Sequence, residues 1–122
     1  MARRKVATPE GGVKLAVIDL LTAERIFCLR VNSGNILLTA PNGKKRMVVL
    51  APPGTADIQA IVPAAGLFMV LWVETKFGKN GLSRDQIIFR EDVLDRGHCY
   101  LEARSSDDVL TWLRRFRKMY PR

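Results

Sequence analysis

Histidine and cysteine are scarce in this chain, and their scarcity removes several kinds of chemistry at once. His98 is the single histidine, with no second imidazole or paired cysteine at ligand spacing, so no zinc-site pattern is present. Cys28 and Cys99 lie far apart among apolar residues, which predicts reduced, core-packed thiols rather than a disulfide. No run reaches about 18 apolar residues, so no membrane-spanning helix is expected. No secretory signal is read either, because the basic Met1 to Lys5 leads into polar residues and then a helical pattern. Internal repeats and low-complexity linkers are missing. Acid is the minority charge: 12 Asp and Glu stand against 20 Lys and Arg, a formal net charge of +8. That balance favours a polyanionic partner, nucleic acid first. With 122 residues and 48% apolar content, the chain has the means for one folded domain and no more.

What is present falls into a clear order. Residues 1–8 form a basic arm, and residues 9–122 a single domain. Pro9-Glu10 suits the first turn of a helix, with Val13, Ala16, Val17, Leu20 and Leu21 at helical spacing on one face. By periodicity Glu10 is a favourable first-turn acid at the positive end of the helix dipole. Ile26 to Val31 reads as a strand and Asn32 to Asn35 as a turn. Ile36 to Thr39 and Met47 to Leu50 read as short strands around Asn42-Gly43, a hairpin signal. Three adjacent cations, Lys44, Lys45 and Arg46, follow that turn; a solvated loop and a phosphate-contacting hairpin tip explain them equally well. Ser83 with Gln86 three residues later is a capping box, opening a helix with Ile87, Phe89, Val93 and Leu94 and a stop at Gly97. His98 to Ala103 reads as the last strand. Ser105 to Asp108 cap a final helix, which ends in Arg114, Arg115, Arg117 and Lys118. The element order α-β-β-β-β-β-α-β-α predicts an α/β fold around one mixed sheet flanked by helices.

The stretch from Gly54 to Lys76 carries the chemistry. Asp57 to Val62 alternates polar and apolar residues and breaks at Pro63 and Gly66; Leu67 to Lys76 is an apolar strand ending in Glu74-Thr75-Lys76. The two-residue side-chain period puts Glu74 and Lys76 on one face. Asp57 joins them if the hairpin pairs in register. Charges at the end of a buried strand need partners, and a divalent cation held by Asp57 and Glu74 beside Lys76 would satisfy all three. Hard carboxylate oxygens suit Mg²⁺ or Mn²⁺, which leads to metal-assisted hydrolysis of a phosphate ester.

Gly54-Thr55-Ala56-Asp57-Ile58, the strand ending Glu74-Thr75-Lys76, and Gly81-Leu82-Ser83-Arg84-Asp85-Gln86 with Phe89 together resemble the VRR-NUC family of the PD-(D/E)xK nuclease superfamily. Arg30-Val31-Asn32-Ser33-Gly34 upstream, and Gly97-His98 with Arg104 to Val109 downstream, extend the resemblance over about Pro9 to Leu113. It implies a restriction-endonuclease-like core and a Mg²⁺-dependent DNA endonuclease, with Mn²⁺ able to substitute. Asp57 and Glu74 match the metal-binding carboxylates, with the Thr75 carbonyl as a further ligand; Lys76 matches the catalytic lysine. Glu10 matches a first-helix acid at the metal site. Gln86 matches a glutamine near the lysine or the scissile phosphate, so capping and catalysis compete for it. Arg30, Asn32, Ser33, Lys44, Lys45, Arg46 and Lys79 are the expected DNA contacts. Stand-alone members of this length resemble phage and bacterial proteins, which implies a homodimer acting on branched DNA, a four-way junction or flap, in the cytoplasm. Thr75 stands where an aliphatic residue is commoner, and Ala56 where proline is usual. The other function class is a non-catalytic nucleic-acid-binding module of the same fold.

Overall fold

A computed structural model describes residues 8–121. The predicted basic arm falls almost wholly outside them; only Thr8 is described, and it is the cap before the first helix. Its hydroxyl accepts from the Gly11 amide at 2.9 Å, capping α1 (Pro9–Ala23). The chain continues through β1 (Phe27–Arg30), β2 (Asn35–Thr39), β3 (Lys45–Val49), β4 (Ile58–Ala64), β5 (Leu67–Thr75), α2 (Arg84–Asp95), β6 (Cys99–Ala103) and α3 (Ser106–Met119). The predicted element order holds.

The strands do not form one sheet. β1, β4, β5 and β6 make a four-stranded mixed sheet in the order β1-β4-β5-β6, with β5 and β6 parallel and the other pairs antiparallel. β2 and β3 pair only with each other, as a separate two-stranded sheet. A second correction concerns Pro63, which does not break its strand. It lies inside β4 opposite Phe68, where β1 no longer runs alongside, since the last β1 pair is Phe27 with Ile61. The missing amide hydrogen therefore costs no ladder bond. The turn comes after it, at Ala65-Gly66, both at positive φ as a two-residue hairpin requires.

Alternation along the strands sends Ile58, Ala60 and Val62 of β4, Leu71 and Val73 of β5, and Ala103 of β6 to one face. There they meet Val17 and Leu21 of α1 and Val109, Leu113 and Phe116 of α3, forming the core. Cys28 and Cys99 pack against this core as free thiols, and burial raises both pKa values. Ala16, expected on the inner side of α1, is exposed. The opposite sheet face receives α2, docked through Phe89 edge-on to Trp72 at 5.1 Å. The inward stripe of α2 is Gln86, Phe89 and Val93, so Ile87 and Leu94, expected inside, face outward. No helix among the described residues is long and apolar enough to cross a membrane.

Candidate functional site

The site forms where β4 begins and β5 ends. Ile58 pairs with Val73, so Asp57 and Glu74 are the next residues out along adjacent antiparallel strands. The register anticipated in the sequence is the one observed. Two backbone features hold Asp57 there. Val31 donates its amide to the Asp57 carbonyl at 2.7 Å, tying the entry of β4 to the exit of β1. Upstream, Gly54 sits at φ +86, and a Cβ at that position would lie 2.3 Å from the Asp85 carbonyl oxygen. Only glycine allows this loop to press against the first turn of α2, which carries Gln86.

Asp57 and Glu74 are locked by donors from several directions. Asp57 Oδ2 accepts from both the amide of Thr75, at 2.9 Å, and its hydroxyl, at 2.8 Å. The Thr75 hydroxyl thus helps fix the Asp57 carboxylate. Glu74 Oε2 accepts from the Asp57 amide at 3.2 Å, while Oε1 accepts from Gln86 Nε2 at 2.5 Å. Gln86 Oε1 meanwhile accepts from the Ser83 amide at 2.8 Å, completing the capping box. Capping and site contact do not compete, because opposite ends of one side-chain amide perform them.

The electrostatics follow from burial. Glu74 is only 3% exposed, and its pKa rises to about 7, first through desolvation and then through the neighbouring Asp57 charge; Lys76 opposes the shift. Lys76 is itself buried, with Nζ 4.0 Å from Glu74 Oε1, as their shared strand face requires. A second lysine enters that was not anticipated: Lys14 of α1 places Nζ 3.4 Å from Asp57 Oδ1. The one trace of it in the sequence is its place four residues after Glu10, the first-helix acid that the resemblance implies at the metal site. Tyr100, beside Trp72 on β6, has a buried hydroxyl that finds no hydrogen-bond partner among the described residues; desolvation and then the Glu74 charge raise its pKa.

The chain matches no protein-family model, no curated protein and no solved structure. The site therefore stands on its own geometry.

That geometry brings together Asp57, Glu74, Thr75, Lys76 and Gln86. Glu10 contributes backbone to the first turn of α1, and its side chain lies outside the described residues. The expected DNA contacts divide into two groups. Arg30 ends β1 opposite Ile58, one residue from Asp57, and is exposed; Asn32 and Ser33 follow in the loop that bridges to Ala51. Lys79 is exposed in the turn after β5. Lys44, Lys45 and Arg46 lie instead on the β2–β3 hairpin, lining an open groove of about 580 Å³ outside the central sheet.

The donor set suits a hard divalent cation. Among the described residues no three acidic, histidine or cysteine side chains gather as a metal cluster. Mg²⁺, however, is commonly held by one or two carboxylates, with waters and substrate phosphates completing its shell. Two carboxylates side by side, one with its pKa raised by burial and by the other's charge, are relieved by a cation between them.

Proposed function

We propose that this chain is a Mg²⁺- or Mn²⁺-dependent endonuclease that hydrolyses phosphodiester bonds in DNA, on a restriction-endonuclease-like core. The observation that carries the reading is the convergence of Asp57 and Glu74 at adjoining strand ends, with Lys76 beside Glu74. Asp57 and Glu74 would hold the cation, with the Thr75 carbonyl as the further ligand suggested by the VRR-NUC resemblance. When bound, the cation supplies Lewis-acid polarisation of the phosphoryl oxygen and a water of lowered pKa. The protein's own groups do the rest. Thr75 fixes Asp57 and Gln86 fixes Glu74, so neither carboxylate has to be reorganised. Lys76, held in a nearly dry position, offers its ammonium to the phosphate as charge builds on it.

The substrate proposed is branched DNA, a four-way junction or flap, engaged by a homodimer in the cytoplasm of a bacterial cell or phage-infected host. The net charge of +8 and the cation-lined hairpin groove support a nucleic-acid partner. The same hairpin supports self-association, since Ile36, Leu37, Leu38, Met47 and Val49 are exposed on a two-stranded sheet. Isolated two-stranded sheets are marginal in water, and exposed apolar clusters mark contact surfaces.

One observation favours the alternative, a non-catalytic nucleic-acid-binding module: Lys14 and Lys76 already stand beside Asp57 and Glu74 as ion-pair partners. A cleavage assay on end-labelled junction, flap and linear duplex separates the two. With Mg²⁺ or Mn²⁺ the nuclease cuts, and in EDTA it does not; the module binds under every condition and never cuts.

A further inference from the structure

The four carboxylate oxygens of the site are not equivalent. Asp57 Oδ2 is saturated by the Thr75 amide and hydroxyl, at 2.9 and 2.8 Å. Glu74 Oε2 takes the Asp57 amide, and Oε1 takes the Gln86 side chain with Lys76 at 4.0 Å. Asp57 Oδ1 is left, and Lys14 Nζ stands 3.4 Å from it. Of the two carboxylates, Asp57 is the more accessible, and among the described residues its Oδ1 faces only the ammonium of Lys14.

The charges sharpen the point. Beside Asp57 and Glu74 the structure places two lysines, Lys14 and Lys76, so both carboxylates have an ammonium close by before any metal arrives. A divalent ion added to this arrangement would stand beside an ammonium in a mostly desolvated place. Where little water screens the pair, an ammonium a few ångströms from a divalent ion repels it. Lys14 and Lys76 differ in how readily they can yield. Lys76 is buried at the end of β5, fixed by the strand, with its amide bonded to the Ala103 carbonyl. Lys14 reaches across from α1, a separate element, on a flexible four-carbon stem.

We propose that Lys14 is a built-in counter-cation that competes with the divalent metal for Asp57 Oδ1, so that metal entry displaces its ammonium. In this role Lys14 steadies the carboxylate pair while no metal is bound and sets the metal concentration at which the site fills. The inference rests on the metal-site reading above and concerns how that site is regulated.

The test is equilibrium Mn²⁺ binding to the DNA-free protein, by calorimetry or by the electron paramagnetic resonance of the free ion. It uses wild type, Lys14→Met and Lys14→Arg, with thermal unfolding confirming that each variant is folded. Lys14→Met should bind Mn²⁺ at least about tenfold more tightly than wild type, the factor that about 1.4 kcal/mol of relieved repulsion gives. Lys14→Arg keeps the charge and should stay near wild type. Unchanged or weaker binding in Lys14→Met overturns the competition while leaving the metal site standing. Equal tightening in both variants overturns it too, because shape rather than charge would then be responsible. No binding in any of the three proteins removes the metal-site reading itself, and the counter-cation with it.

Discussion

Glu74 brings a carboxylate to a position that water hardly reaches, and its chemistry follows from that. Folded, it keeps its proton up to about pH 7; unfolded, it loses it near the ordinary value of 4.5. Between these limits the folded state binds more protons, so stability falls as pH rises from about 4.5 to 7 and then levels off. The span corresponds to a loss on the order of 3 kcal/mol for the metal-free protein. Chemical denaturation of wild type and Glu74→Gln across this range in EDTA isolates the effect. The wild-type stability should drop relative to the variant, and added Mg²⁺ at high pH should restore it. A difference that stays flat, or grows with pH, contradicts the burial argument. At this scale Asp57, Glu74 and Lys76 were legible because strand alternation and register alone place them together. Lys14 was not, since only tertiary packing decides which cation from another element fills a given oxygen. Nor was the hydroxyl role of Thr75, since a β-branched residue in a strand is explained well enough by its backbone preference.

Among the elements, the join between the β4 entry loop and α2 does most to build the site. Gly54 allows it: an added Cβ would meet the backbone oxygen, carbon and Cβ of Asp85 at 2.3 to 2.8 Å, and its φ of +86 suits glycine alone. Gly54→Ala should therefore destabilise the fold by at least about 2 kcal/mol in chemical denaturation, strain and overlap combined. Because α2 must move away, the Gln86 contact to Glu74 should go with it, and any metal affinity should fall. A variant as stable as wild type would show that the loop does not need this approach. Helix caps were readable from sequence, as Ser83 with Gln86 and Ser105 both prove in place. The inward face of α2 was not. Its apolar residues are spread around the helix, and aromatic docking of Phe89 on Trp72, invisible in one dimension, selects the stripe.

At the scale of the whole molecule, exposed apolar residues fall both on the β2–β3 hairpin and on the central sheet, at Phe27, Leu67 and Phe68. The sequence conveyed the strand count and their order but not that β2 and β3 leave the main sheet, because a hairpin signal carries no information about what lies beside it. If the hairpin cations contact phosphates, replacing Lys44, Lys45 and Arg46 by Ala should weaken DNA binding and flatten its salt dependence. Each lost contact should reduce the log–log slope by about 0.9, measured by fluorescence anisotropy over a salt series. An unchanged slope would assign these residues to a solvated loop. The central claim, that Asp57, Glu74 and Lys76 form a metal-dependent phosphodiester-cleaving site, is tested most directly in a single comparison. Wild type and Lys76→Ala are assayed on end-labelled four-way-junction DNA in Mg²⁺, Mn²⁺ and EDTA, with binding followed in parallel by gel mobility. The account predicts metal-dependent cutting by wild type, reduced at least about 100-fold in Lys76→Ala with binding retained. Equal cutting by both proteins, or binding by wild type without cutting in either metal, would contradict it.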